Sequence, residues 1–144
     1  MKHTFLSKTK IPNKIPKNMR RVVERLKKAK NQKQCLRMAH EAMSQRYFGR
    51  HMRTITHPLP IFSMDASKLW NTKGFMHCHN INWLLRILLV KSGFFKNRNI
   101  VNHWTVVWVT SPHQYLRIKM DDGVCVNVDV WGATFGVKLG QHAK

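Results

Sequence analysis

The segment Cys78–Lys91 constrains this chain more than any other. Ile81, Trp83, Leu84, Leu85, Ile87, Leu88 and Leu89 put apolar side chains on nearly every side of a helix. Such a helix has no face to give to water, so it is buried all round and the rest of the chain must pack around it. Its apolar run is short and carries Arg86, which argues against a membrane span. The helix is expected to stop at Gly93, in "KSGFF". A chain of 144 residues that is 43% hydrophobic can bury one such core, so a single domain is expected over residues 17–144.

The flanks sort into two kinds of pattern. Residues 1–16, with Pro12 and Pro16 and little periodicity, read as a flexible basic arm. From Lys17, the residues Met19, Val22, Leu26 and Ala29 fall on one helical stripe; Leu36, Ala39, Met43 and Tyr47 form a second. Asn31 is placed to cap the second helix with Gln34 in the reciprocal position, and Gly49 to end it. Residues 17–49 are thus expected as basic amphipathic helices. Residues 50–73, broken by Pro58 and Pro60, are expected to be mostly irregular. Three strand patterns follow the buried helix, at Ile100–Thr110, His113–Met120 and Val124–Val130. Helices first and a meander afterwards predict an α+β domain with an antiparallel sheet.

Charge and cysteine content narrow the setting. The net charge is +20. Residues 1–53 hold 16 Lys+Arg against Glu24 and Glu41, or 16 − 2 = +14; the remaining 91 hold 10 Lys+Arg and 4 Asp, or +6. Residues 2–53 therefore offer a surface for a polyanion such as nucleic acid or an acidic protein, or simply a solubilising one. The three cysteines form no CxxC pair. That argues against a disulfide framework or a zinc finger and for a reducing, cytoplasmic setting. The basic opening "MKHTFLSKTK" leads into no apolar signal segment.

The chemistry centres on three positions. Cys78 falls in the first turn of the buried helix, where unpaired N–H groups and the positive dipole end favour a thiolate. A small buried cysteine with no reactivity is the plain alternative. The turn Asp121-Asp122-Gly123 suits a three-residue hairpin loop with Gly123 in the left-handed position. That loop pairs Met120 with Val124, Ile118 with Val126 and Leu116 with Val128, and gathers the apolar residues on one face. The other face then carries His113, Tyr115 and Arg117 beside Asn127, Asp129 and Trp131. His113 and Asp129 become diagonal neighbours, close enough for imidazole to meet carboxylate. A thiol needs a base to take its proton, and the base needs a carboxylate to hold its tautomer. Cys78, His113 and Asp129 are those three groups. His103 is a rival base; pairing through a Ser111–Pro112 turn would carry it toward Met120, away from His113. The Cys78 N–H is one oxyanion donor, with Trp70 or Asn71 as candidates for a second. His77 and His79 flank the thiol as substrate-facing or surface groups, and Trp131 adjoins His113. No His/Cys pair has the spacing of a metal site, so neither metal nor cofactor is expected.

The run "GFMHCHNINWLLRILLVKSGF" followed by "HQYLRIKMDDGVCVNVDVWG" resembles the core of the transglutaminase-like superfamily. The match falls on Gly74, Cys78, Leu88, Leu89, Gly93, His113, Gly123 and Asp129, within residues 70–136. Tyr115 and Val130 depart from the pattern, which often has Trp and Pro there. The resemblance implies a papain-like α+β fold and acyl transfer through a thioester. The acyl donor would be a peptide or amide. The acceptor would be water, as in a peptidase or amidase, or an amine, as in cross-linking.

Overall fold

The computed structural model describes residues 8–50 and 65–144. It is a mixed α+β arrangement whose centre is helix α4, Cys78–Lys91, in which every residue from Asn80 to Leu89 is buried. Helices α1 (Lys17–Leu26) and α2 (Gln32–Arg46) pack on one side of α4, and a three-stranded antiparallel sheet packs on the other. The sheet is a meander of β3 (Ile100–Val107), β4 (Ser111–Lys119) and β5 (Cys125–Val128). Each large aliphatic side chain so enclosed contributes about 1.5–3 kcal/mol of burial, and α4 supplies six of them, more than any other element.

Local chemistry explains the helices. Met19, Val23 and Leu26 bury one stripe of α1 while Arg20, Arg21, Arg25, Lys27 and Lys28 face water. Asn31 caps α2 by accepting from the Gln34 N–H at 2.9 Å. The Gln34 side chain reaches back one residue further than a capping box requires, accepting from the Lys30 N–H at 2.6 Å. The α4 helix stops at Gly93, whose φ of 85° no side-chain-bearing residue adopts easily.

Three expectations need correction. Residues 8–16, expected within a flexible arm, lie docked along α4. Ile11 and Ile15 pack against the core. The Lys10 carbonyl accepts from the Trp83 indole at 3.0 Å, and the Asn13 carbonyl accepts from Lys91 at 3.1 Å. Arg86, 1% exposed, donates to the Thr9 carbonyl at 2.6 Å and to Asn97 Oδ1 at 3.3 Å. Burial of that cation lowers its pKa to about 10. The stretch 50–73, expected to be mostly irregular, contains α3 (Ala66–Asn71), capped by Asp65 accepting from the Lys68 N–H at 3.0 Å. The "THPLP" part of that expectation lies outside the described residues. Gly49 does not end α2, which stops at Arg46. The chain instead enters a short strand β1 (Tyr47–Phe48), which pairs in parallel with β2 (Gly74–Phe75). That pairing brings the end of α2 to the threshold of α4.

The β4–β5 register is the expected one: Leu116 faces Val128 and Ile118 faces Val126, with Gly123 at φ 85° closing the turn. Leu116, Ile118 and Val128 are fully buried. Strand β5 is shorter than predicted. After Val128 the chain turns into a short helix α5 (Val130–Ala133), and Asp129 is its N-cap. The β3–β4 turn also differs. It lies at Trp108–Thr110, so Ser111 and Pro112 belong to β4. Pro112 sits where β4 has no β5 partner, an edge position of the kind proline tolerates. Among the described residues no helix is long and apolar enough to cross a membrane.

Candidate active site

Cys78, His113 and Asp129 come from three different elements and meet in one place. Cys78 is the first residue of α4, His113 lies near the start of β4, and Asp129 caps α5. His113 Nε2 is 2.7 Å from Asp129 Oδ2, with both side chains buried. Cys78 and His113 line one cleft, and the thiol is near enough to act on the imidazole, so His113 stands beside both thiol and carboxylate. Burial alone would push His113 down. The hydrogen bonds to Asp129 and to Cys78, together with their charges, outweigh it and raise the imidazole to about 9.

Asp129 is held from several directions. Its Oδ1 accepts from the Gly132 N–H at 2.7 Å, and its Oδ2 accepts from the Ala143 N–H at 2.8 Å. The segment carrying Ala143 is itself fastened, because His142 stacks flat on Tyr115 with ring centroids 4.2 Å apart. Gly132 is required at its position: a Cβ there would stand 2.6 Å from Asp129 Oδ2. His40, on α2, lies close enough to feel the Asp129 charge, although burial dominates and lowers its pKa. Neither His40 nor Ala143 was singled out from the sequence. Their link to Asp129 is purely tertiary, whereas the glycine in "DVWG" was a visible sign of close approach.

The remaining candidates separate. Trp131 is at the site, its ring 4.8 Å from that of His113 and lying over Gly49, where a Cβ would be 2.5 Å from the indole. Trp70 and Asn71 do not line the cleft at Cys78. The Trp70 carbonyl accepts from Arg46 at 2.9 Å and from the Tyr47 hydroxyl at 2.9 Å. Asn71 accepts from Asn18 at 2.7 Å and donates to the Ser67 carbonyl at 2.9 Å. The Trp70 indole N–H has no hydrogen-bond partner among the described residues, but Trp70 lines a different cleft, with Arg46 and Lys73. His79 does not line the cleft; burial lowers its pKa, with the Gln114 side chain opposing that. His77 is buried, its ring 5.2 Å from that of Phe75, and so is not a surface group. His103 pairs with Tyr115, not near Met120, because of the earlier β3–β4 turn. It stacks on Tyr115 at 5.7 Å, and Tyr115 is one row along the same face from His113.

The cleft beside the thiol is lined by Cys78, Val107, Trp108, Ser111, Pro112, His113 and Trp131 and holds about 20 Å³. The other two cysteines have different surroundings. Cys35 is fully buried; burial pushes its thiol up, while a hydrogen bond to Ser92 opposes that. Cys125 is exposed. Among the described residues, no group of three His, Cys, Asp or Glu side chains converges as metal ligands do. Comparison with protein-family models, with curated proteins and with solved structures finds no match to this chain.

Proposed function

We propose that this chain is a cysteine-dependent acyl-transfer enzyme of transglutaminase-like, papain-like design, acting in a reducing compartment such as the cytoplasm. The observation that carries the reading is that Cys78 and His113 line one cleft while His113 is hydrogen-bonded to the buried Asp129 at 2.7 Å. Cys78 is the nucleophile, His113 the general base and then acid, and Asp129 the group that orients His113.

His113, raised to about 9, already holds the proton near neutral pH, so in the first half-reaction the Cys78 sulfur, its proton given up to His113 beforehand, bonds to the substrate carbonyl carbon. The tetrahedral oxyanion lies by the first turn of α4, where the Cys78 N–H has no acceptor within the helix. Collapse breaks the C–N bond, and His113 returns its proton to the departing amine, leaving a thioester. Water then gives a proton to His113 and its oxygen to the thioester. Release of the carboxylic acid leaves His113 protonated beside the freed sulfur, as at the start. Hydrolysis of a peptide or amide is favoured over amine cross-linking because water is always present as acceptor.

The test is competitive alkylation with iodoacetamide near neutral pH, read by peptide mass spectrometry. Cys78 is expected to react far faster than Cys35 or Cys125. Asp129→Ala is expected to slow Cys78 at least about tenfold by releasing the imidazole. Equal rates for the three thiols would sink the enzymatic reading.

A second reading has its own observation. Arg25, Arg46 and Lys73 line a cleft of about 240 Å³ between α1, α2 and the end of α3, and no carboxylate lines it with them. A basic module holding nucleic acid or an acidic protein, with the triad inactive, would use that surface. It requires co-purifying polyanion whose release depends steeply on salt.

A further inference from the structure

Asp129 caps a helix of only four residues, and that cap bond fixes one of its two oxygens: Oδ1 accepts from the Gly132 N–H. The torsion about the Cβ–Cγ bond of an aspartate is broad, so a carboxylate held at one oxygen still twists. Its Oδ2 carries the other two contacts, His113 Nε2 at 2.7 Å and the Ala143 N–H at 2.8 Å. With each oxygen held by a backbone donor, the carboxylate offers His113 a single direction. Ala143 stands fourteen residues along the chain from Asp129. The second donor therefore exists only if something brings that stretch of chain back to the site.

Residues 139–143 make the return. Leu139 packs against the core, and the Gly140 N–H donates to the Asn127 carbonyl of β5 at 2.9 Å. The next residues line a cavity of about 500 Å³ with Asn127 and Val137, so they do not lie flat on the body of the protein. At the far side of that span His142 lies flat on Tyr115, the ring centroids 4.2 Å apart and the planes 3° apart. The His142 Nδ1–H donates to the Ala143 carbonyl at 2.8 Å. Tyr115 is a firm platform. It is 8% exposed, it lies on β4 two residues from His113, and the ring of His103 on β3 is 5.7 Å from its own.

We propose that residues 139–143 are a strap belonging to the candidate active site, with His142 as a positioning residue: its stack on Tyr115 holds the Ala143 N–H on Asp129 and so aims the carboxylate at His113. With the strap lifted, Asp129 turns, its grip on the imidazolium weakens, and His113 gives up its proton at a lower pH. The Cys78 thiol then keeps its own proton near neutrality. The ionisable groups around His113 are Cys78 on α4 and Asp129 at the start of α5; His40 on α2, with Glu41 beside it, also feels the Asp129 charge. The consequence for Cys78 rests on the acyl-transfer reading; the hold on Asp129 does not.

Two readouts on the full chain separate these. Proton–nitrogen NMR of the histidine rings follows the titration of His113, and iodoacetamide labelling follows Cys78 from pH 6 to 9.5. In His142→Ala the His113 midpoint is expected to fall from about 9 toward the ordinary 6.5. Labelling of Cys78 should slow about tenfold at pH 7 and approach the wild-type rate by pH 9.5, where a thiol ionises unaided. Ala143→Pro deletes the N–H itself and should act the same way. His142→Phe keeps a flat ring on Tyr115 and should restore most of both values. An unchanged midpoint in His142→Ala and Ala143→Pro overturns the proposal. So does a slowing by one factor at every pH, in step with a lower melting temperature, because the strap would then serve folding alone. If wild-type labelling fails to single out Cys78, the acyl-transfer reading falls and the NMR midpoint by itself decides the strap.

Discussion

Gly132 and His113 show how narrowly the site is built. The Gly132 N–H is a donor to Asp129, and its missing side chain is the space that lets the carboxylate approach. Gly132→Ala is expected to displace the carboxylate, slow iodoacetamide labelling of Cys78 severalfold and cost about 1–3 kcal/mol of stability. Unchanged labelling in a folded variant would show that Asp129 does not depend on that contact. His113 carries a pH signature. Its folded value of about 9 lies above the ordinary 6.5, so the folded state holds the proton more tightly than the unfolded chain. The resulting stabilisation is complete below about pH 6.5, declines as pH rises and is gone above about 9, with a size on the order of a few kcal/mol. Between pH 6 and 9.5 the wild-type melting temperature should therefore fall more than that of His113→Gln. Parallel curves would mean that the buried pair is not charged as described.

Among the elements, the junction of β1, β2 and α5 sets the position of the thiol. The parallel pairing of Tyr47 with Gly74 and Phe48 with Phe75 fixes where α4 begins, and Trp131 closes over Gly49 from the other side. A methyl group at Gly49 would collide with the indole, so Gly49→Ala is expected to lower stability by about 1–3 kcal/mol and to unseat Trp131 from His113. Tryptophan fluorescence and thermal unfolding together check this; a small shift in both would show that the indole can give way freely. The β4–β5 hairpin is the element most fully legible in the sequence. Its three-residue loop and period-two pattern allow only one register that buries Leu116, Ile118 and Val128 together. The β3–β4 hairpin was not, because Trp108–Thr110 carries no glycine or asparagine to mark a turn.

For the protein taken together, the dominant quantity is its uncompensated positive charge. Besides the buried His113–Asp129 pair, the described residues form two ion pairs, Lys27–Glu24 and Lys33–Asp122, and both are exposed. Exposed pairs of this kind are worth little and leave the field of α1 and α2 largely intact. Binding of a single-stranded oligonucleotide, if it occurs, is expected to weaken at least about tenfold between 50 and 200 mM salt. Charge reversal at Arg25 and Lys73 should flatten that dependence while leaving Cys78 labelling as it was. Loss of labelling in that variant would couple the basic face to the thiol, which nothing in the packing of α1 against α4 requires.

By itself the sequence determined the buried central helix, its stop at Gly93, the Asn31 cap, the β4–β5 register and hence the nearness of His113 to Asp129. All of these follow from interactions within a turn, a hairpin or one helix face, whose spacing the chain itself sets. The tertiary structure alone decided that Cys78 shares a cleft with that histidine, that residues 8–16 lie along α4, that Trp70 and Asn71 lie outside that cleft, and that Trp108 lines it. Those depend on how separate elements pack, where a shift of one residue or a few ångströms leaves every local pattern satisfied and changes every partner.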